Sequence, residues 1–419
     1  MQPMELLREL SDAFGVSGFE DEVREILRAR VSPFVDSVTV DPLGNLIAMR
    51  KGKDSRVLML DAHMDEVGFI VKWVDDKGYV RFAPLGGWDE RILGGHRVVL
   101  RTRAGEKRLG VIGSAPPHIL SAEERAKPIP IDKMFVDVGA TSRQEASDLG
   151  VEIGDPFTIH YPFGEIAEGY VTGKALDDRA GCAVLIETAR RLAEEELPMT
   201  TAFSFAFGEE LGLRGATTAA FRIDPCFALA VEGTIGADMP GIAEENQPTR
   251  LGRGPAVSVA DRSIVVSPKV VRALEKVADE NGIPYQYKLP TYGSTDAGAI
   301  HLTRGGVLSG IVSVPCRFIH SPVSTLRMND FENTIRLVTS FVRSLPKSVL
   351  YSFARYRNRC CRGEGAQERA PALHDAIVSV TTSARRWIPS SICSRAHKEK
   401  ASRMVLCPPP STYDEAPGT

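Results

Sequence analysis

Two histidines and a group of acids stand where apolar runs end. His63 follows Val57-Leu58-Met59-Leu60, and Glu209-Glu210 follow a run ending at Phe207. Glu232 follows Ala230-Val231, His320 lies just beyond Val307–Val314, and Asp177-Asp178 immediately precede a helical pattern. Singly, each has an ordinary reading. A His-x-Asp such as His63 and Asp65 is more often a hydrogen-bonded pair than a metal motif. An Asp-Asp before a helix is a cap with a favourable dipole contact, and a Glu-Glu after a strand is solvated surface. Together these readings weaken, because every element recurs at a strand end of one domain. In open α/β sheets ligands bind outside the carboxyl ends of the strands. Carboxylates crowded there repel one another unless a cation neutralises them. Metal ions account for the set, and two ions suit five protein ligands if one carboxylate bridges. Such a site can hydrolyse an amide. A bound ion lowers the pKa of water to about 7, and a carboxylate that does not bind metal can take the proton and hand it to the leaving amine. Glu209 and Glu210 offer one of each role.

The elements that must position these groups can be read from periodicity. Residues 4–34 read as two helices broken at Gly15-Val-Ser-Gly18, and residues 36–62 alternate and then run apolar through Val57-Leu58-Met59-Leu60 as a buried strand that stops at Asp61-Ala62-His63. From about residue 67 to 165 short alternating runs are separated by Gly, Pro and Asp turns, with no good helix pattern, so an all-β insert is expected. Afterwards an α/β texture resumes. Residues 179–196 carry a helical stripe that Pro198 is expected to end; Thr200–Phe207 and Cys226–Val231 read as strands. Ser267-Pro268 should cap a helix running to Gly282, Val307–Val314 is a strand, and Phe331–Leu345 a closing helix. The expected fold is α/β: a mainly parallel sheet covered by helices on both faces, interrupted by the insert. In residue terms, 1–66 and 167–347 form a catalytic domain and 67–166 a β insert.

The 419 residues are 43% hydrophobic and 25% charged, which are globular values. A formal net charge of -3 supplies no basic field for nucleic acid or an anionic membrane. Met4, Leu7 and Leu10 sit at helical spacing rather than in a signal sequence, and no run approaches the roughly 20 apolar residues of a membrane span. The seven cysteines make no disulfide framework, and a cytoplasmic setting is expected. From Tyr351 to Thr419 no period is sustained. The Arg-rich composition allows a basic interaction tail, but a disordered or out-of-frame extension over 348–419 is the favoured expectation.

Seven ordered stretches resemble a known family. They are Asp61-Ala-His-Met-Asp-Glu-Val-Gly68, Gly173-Lys-Ala-Leu-Asp-Asp-Arg-Ala-Gly181, Gly208-Glu-Glu-Leu-Gly-Leu-Arg-Gly215, Val231-Glu-Gly-Thr234, Gly252-Arg-Gly-Pro255, Gly293-Ser-Thr-Asp-Ala-Gly298 and Pro315-Cys-Arg-Phe-Ile-His-Ser-Pro322. Their order and spacing resemble the di-metal glutamyl, deblocking or tetrahedral aminopeptidases, often labelled cellulase M or endo-1,4-glucanase, from about residue 4 to 346. Phe318 stands where tyrosine is more usual, and the Glu232 position is aspartate or glutamate in the family. The resemblance implies a metallopeptidase using two zinc or cobalt ions per chain. His63 and His320 would each bind one ion, Asp177 would bridge them, and Glu210 and Glu232 would complete the ligands. Glu209 would be the general base, and Asp65 would hold the His63 ring. It also implies a cis peptide between Asp177 and Asp178, peptide substrates, and an insert that builds a dimer and then a dodecamer. An endo-1,4-glucanase is the alternative. Glycoside hydrolysis normally needs two carboxylates and no metal, so the histidines count against it. A non-catalytic scaffold would be favoured if a ligand or Glu209 were missing, and none is.

Overall fold

The computed structural model describes residues 2–289 and 292–345; the tail expected over 348–419 lies outside the described residues. Helices Pro3–Asp12 and Asp21–Val31 lead into β1 (Ser37–Val40), β2 (Leu46–Arg50) and β3 (Gly52–His63). The chain then forms β4 (Gly68–Val74), β5 (Val80–Leu85), β6 (Arg97–Arg101), β7 (Lys107–Gly113), β8 (Phe135–Asp137) and β9 (Pro156–Ile159). These six close into a barrel in the order β4-β5-β8-β7-β6-β9. After β10 (Gly164–Ala167) and β11 (Tyr170–Gly173), helices and strands alternate: helix Leu176–Arg191, β12 (Leu197–Ala206), helix Arg214–Ile223, β13 (Phe227–Ile235) and β14 (Ala256–Ser258). Helix Pro268–Glu280, β15 (Gln286–Lys288), β16 (Leu308–Arg317), β17 (Ser324–Arg327) and helix Met328–Ser344 complete the described chain.

The main sheet has the order β1-β2-β12-β3-β13-β16-β17-β11-β10. Its four central strands, β12, β3, β13 and β16, pair in parallel. Both flanks are antiparallel, so the sheet is mixed, with the expected parallel arrangement confined to its centre. The centre is parallel because its strands are apolar on both sides, which requires cover on both faces. Alternate residues of β3 divide accordingly. Leu58, Leu60 and Ala62 join the larger core, with helices Leu176–Arg191 and Met328–Ser344; Met59 joins Ala216, Ala219 and Ala220 of helix Arg214–Ile223 on the other face. The barrel has a separate core around Phe69, Phe82 and Phe157.

Three local expectations are corrected, and one helix has no counterpart among them. The insert contains short helices, Ala122–Arg125 and Arg143–Asp148, whose caps Ser121 and Ser142 accept from the amides of Glu124 and Glu145. Ser-x-x-Glu at residues 121–124 was the available sign. Helix Leu176–Arg191 stops ahead of Pro198, which lies inside β12. Ser267 makes no side-chain cap bond to helix Pro268–Glu280. Helix Arg214–Ile223 was not singled out, because its buried face is Gly215, Ala216, Ala219 and Ala220, too weakly apolar to show a clear stripe.

Arg179 is fully buried and joins the first helix to the end of β3. Its guanidinium donates to the carbonyls of Leu10 at 2.6 Å, Met64 at 2.8 Å and Gly15 at 3.2 Å. Glu66 receives Lys174 Nζ at 2.7 Å and Thr158 Oγ1 of β9 at 2.9 Å, with Arg179 Nη2 at 3.4 Å. Arg179→Ala would strip several buried acceptors of their donor. The expected cost is about 3–5 kcal/mol, read as a lower urea midpoint at unchanged slope; a loss below about 1 kcal/mol would contradict this role.

Candidate metal centre

The residues singled out from sequence meet at the carboxyl rim of the central strands. His63 is the last residue of β3, Glu232 lies in β13, and His320 follows β16 in a loop where Phe318 and His320 both take positive φ, 61° and 54°. Gly208, also at positive φ, turns the chain from β12 into the single turn Glu209–Leu211. Asp177 and Asp178 open helix Leu176–Arg191 with non-helical backbone angles, and the peptide between them is cis.

Asp177 lies between the two imidazoles. Its Oδ1 is 3.4 Å from His63 Nε2, and its Oδ2 is 3.7 Å from His320 Nε2. Glu232 Oε2 is 3.7 Å and Glu209 Oε2 3.9 Å from His63 Nε2. Glu210 Oε1 is 3.2 Å from His320 Nε2. Both rings are oriented from behind. His63 Nδ1 faces the Asp65 carboxylate at 3.3 Å and its carbonyl at 3.2 Å, while His320 Nδ1 donates to the Gly87 carbonyl at 3.1 Å. With each Nδ1 so engaged, Nε2 is the ring nitrogen turned toward the acids, and it is the one left for a metal ion.

Asp65 does more than face one ring. Its carboxylate accepts from Ser17 Oγ at 2.6 Å and from the amides of Glu209 at 2.9 Å and Glu210 at 3.1 Å. Asp178 accepts from the amides of Gly181 at 2.9 Å and His63 at 3.2 Å. Among the described residues, donor atoms converge within 4.8 Å in the sets Asp177, Glu210, His320; His63, Glu209, Glu210; and His63, Asp178, Glu232. Asp178 thus reaches the rim, but its oxygens already serve two amides, whereas both oxygens of Asp177 face the imidazoles.

The electrostatics show how crowded the rim is. Burial raises Glu209 and Glu232 well above the ordinary carboxylate range, and neighbouring acids add to this. Burial likewise raises Glu210 and Asp178, the latter strongly. Burial would lower the His63 imidazole, but Glu209, Asp177 and Asp65 carry it well above its usual value. Burial works the same way on His320, and Glu210 and Asp177 raise it to about 9. Asp65 and Asp177 overcome burial through the His63 ring and fall below their usual values. Imidazole nitrogen and carboxylate oxygen are the donors zinc and its neighbours accept, so the residues fit a pair of divalent ions.

Sequence reasoning passed over two acids beneath this rim. Asp61 and Asp296 are fully buried, and none of their oxygens has a hydrogen-bond partner of ordinary geometry among the described residues. Burial lifts Asp61 to about 6, and burial with the charge of Asp61 lifts Asp296 well above its usual value. The Asp296 amide donates to Glu232 Oε1 at 3.2 Å. Both acids stood inside the quoted motifs, Asp61-Ala-His63 and Gly293–Gly298, and the motif position was their only signal.

Residues 44–337 match the family model described as M42 glutamyl aminopeptidase, and residues 2–27 a model described as AMPT. A putative aminopeptidase of Acetivibrio thermocellus is 40% identical over 81% of this chain and 98% of its own length. The lysyl aminopeptidase of Pyrococcus furiosus is 35% identical over 82% of this chain and 98% of its own. Among solved structures, a TET aminopeptidase from a marine sediment archaeon of the Thaumarchaeota superposes with a TM-score of 0.81 at 42% identity, covering 84% of this chain and 98% of that one. The TET1 peptidase of Pyrococcus horikoshii, described as assembling into a tetrahedron or a large octahedral shell, gives 0.73 at 33%, covering 81% and 99%.

A pH dependence follows for the metal-free chain. Glu20, raised to about 7 by burial and Asp65, joins Asp61 at about 6 and His320 at about 9. Each folded value lies above the unfolded one, so the folded chain binds more protons and loses stability as pH rises through these values. Asp65 and Asp177 act oppositely, but their contribution is complete above roughly pH 4. The melting temperature of chelated protein should therefore fall between about pH 6 and pH 9, and added zinc or cobalt should restore it most at the upper end. A flat or rising metal-free profile would contradict this account.

Proposed function

The chain belongs to the M42 glutamyl aminopeptidase family, and from that premise we propose that it hydrolyses the N-terminal peptide bond of short peptides with two divalent metal ions and a glutamate general base. The observation that carries this reading is Asp177 between two imidazoles, with the Glu209 carboxylate beside it. In this reading His63, Asp177 and Glu232 would hold one ion, and Asp177, Glu210 and His320 would hold the other. Zinc or cobalt bound there would polarise a water and the scissile carbonyl.

The chain's own residues supply the rest. Glu209 takes a proton from the attacking water and returns it to the leaving amine. Burial raises its affinity for protons, the direction that a carboxylate serving as general base needs. Asp65 is a positioning residue: it orients His63 and anchors the amides of the turn carrying Glu209 and Glu210. A free α-amino group would sit among the remaining carboxylate oxygens. A cytoplasmic setting fits the buried free thiols Cys182 and Cys316, and among the described residues no helix is long and apolar enough to cross a membrane.

Glu209→Gln should retain both metals by elemental analysis and lose about 10²–10⁴-fold in kcat. Near-normal turnover would remove Glu209 from the role of base; loss of metal would exchange its role with that of Glu210. On the same preparation, acetylating the peptide N-terminus should abolish cleavage and a chelator should stop it. Equal cleavage of blocked peptides would indicate an endopeptidase, and metal-independent release of reducing sugar from cellulose would favour the glucanase.

We assign the barrel, within residues 67–166, to contact between copies, building a dimer and then a dodecamer. Support comes from apolar side chains it leaves exposed: Trp73, Leu109, Ile119 and Ile153. Light scattering should show a particle far larger than a dimer, reduced by Leu109→Glu combined with Ile119→Glu. A monomeric wild type, or assembly indifferent to both charges, would refute this assignment.

A further inference from the structure

The rim opens into a cavity of about 430 Å³, enough for one amino-acid side chain and adjoining backbone. Its lining includes His63, Asp177, Glu209 and Glu210, and one cation that the mechanism does not use, Lys288. Lys288 ends β15, held in register by pairing with Ser258 of β14, and is only 4% exposed. A lysine this buried is rare unless something answers its charge.

Within the described residues, nothing holds its ammonium by a hydrogen bond or ion pair. Burial lowers it, and the charges of Asp261, Glu232 and Asp177 act against that. Each of these acids is engaged elsewhere. Asp261 accepts from the Ser263 amide and hydroxyl at 2.6 and 2.7 Å, the Ile264 amide at 2.9 Å and Thr295 Oγ1 at 2.9 Å. Glu232 takes the Asp296 amide and faces His63. Asp177 faces both imidazoles. A buried cation beside a cavity, with its acid neighbours committed, is suited to an anion that arrives with the substrate. The names of related proteins do not decide the matter, since the family description is glutamyl and one relative is a lysyl aminopeptidase.

We propose that Lys288 selects the substrate, its ammonium receiving the side-chain carboxylate of an N-terminal glutamate or aspartate. The inference rests on the aminopeptidase reading, and deepens it by naming the residue removed. The lysine supplies the positive charge that an acidic side chain needs to enter a rim lined with carboxylates. A site built to pair a charged group discriminates strongly against substrates lacking it, because the site's own charge is then left buried and unpaired.

The test is a panel of aminoacyl-p-nitroanilides on the metal-loaded enzyme. Wild type should favour glutamyl and aspartyl over leucyl and lysyl substrates in kcat/KM. In Lys288→Met, nearly isosteric and uncharged, the glutamyl-to-leucyl ratio should fall about 10²-fold. Lys288→Arg should recover much of it, and Lys288→Glu should turn the preference toward lysyl. A lysine that merely stabilised the fold would lower all substrates together. An unchanged ratio in Lys288→Met overturns the proposal. So does a loss on leucyl-leucine that is absent on its amide, which would assign Lys288 to a C-terminal carboxylate. Calorimetric binding of free L-glutamate and L-leucine reads the same selectivity without turnover. Glutamate binding weakened at least tenfold by Lys288→Met, with no anilide cleaved by wild type, would uphold the assignment while removing the aminopeptidase reading. Equal binding of both amino acids to wild type overturns the assignment.

Discussion

The constraint on which the site depends is like charge held out of water. Asp61, Asp65, Asp178, Glu232 and Asp296 are all buried near the ends of β3 and β13, with Asp177, Glu209 and Glu210 only slightly less enclosed. Packed acids in a poor dielectric cannot all ionise without compensation. Two imidazoles cannot balance eight carboxyls, so in the bare chain burial and mutual repulsion push Asp178, Glu209, Glu232 and Asp296 toward their protonated forms. Divalent cations would replace those protons, which couples metal affinity to pH and to stability.

Positioning such a group requires neighbours that are themselves fixed. The parallel centre of the sheet brings the ends of β3 and β13 side by side, as the pairing of Ala230 with Asp61 shows. The barrel is part of the same support. Gly87, in the loop after β5, orients His320, and Thr158 of β9 bonds Glu66, which Lys174 and Arg179 tie to the first helix. The insert thus holds one of the two imidazoles and part of the platform beneath the other.

Much of this was legible in the sequence. His63, Glu209, Glu210, Glu232 and His320 follow apolar strand runs, and a polar residue closing such a run points to the rim of an α/β sheet. The parallel centre was legible for the same reason, and the strands of the insert came from period-2 alternation, which gave no sign of its two short helices. What stayed hidden depends on distance along the chain or on backbone atoms. Gly87 acts through a carbonyl 233 residues from His320, and no side chain advertises it. Lys288 sits in a three-residue strand too short to show a period. Asp61 reads as the polar end of a strand until Asp296 arrives beneath the same rim from another segment. The antiparallel flanks were missed because β10, β11 and β17 are four residues each and carry little alternation, while β1 does alternate but merges in the sequence with β2 and β3 into one expected strand over residues 36–62.

Adjacent residues can take opposite parts here because of the turn they occupy. In a strand, Glu209 and Glu210 would point to opposite faces of the sheet. In the single tight turn after Gly208 both face the rim, but toward different imidazoles, Glu209 at 3.9 Å from His63 and Glu210 at 3.2 Å from His320. The same Asp65 carboxylate that takes both of their amides also faces the His63 ring. One buried acid therefore fixes the spacing between a proposed ligand, the residue proposed as base, and the imidazole beside it. Because Asp65 bonds backbone amides, that spacing is a property of the main chain. It would be maintained whichever way the Glu209 carboxylate moved in the proposed proton transfer.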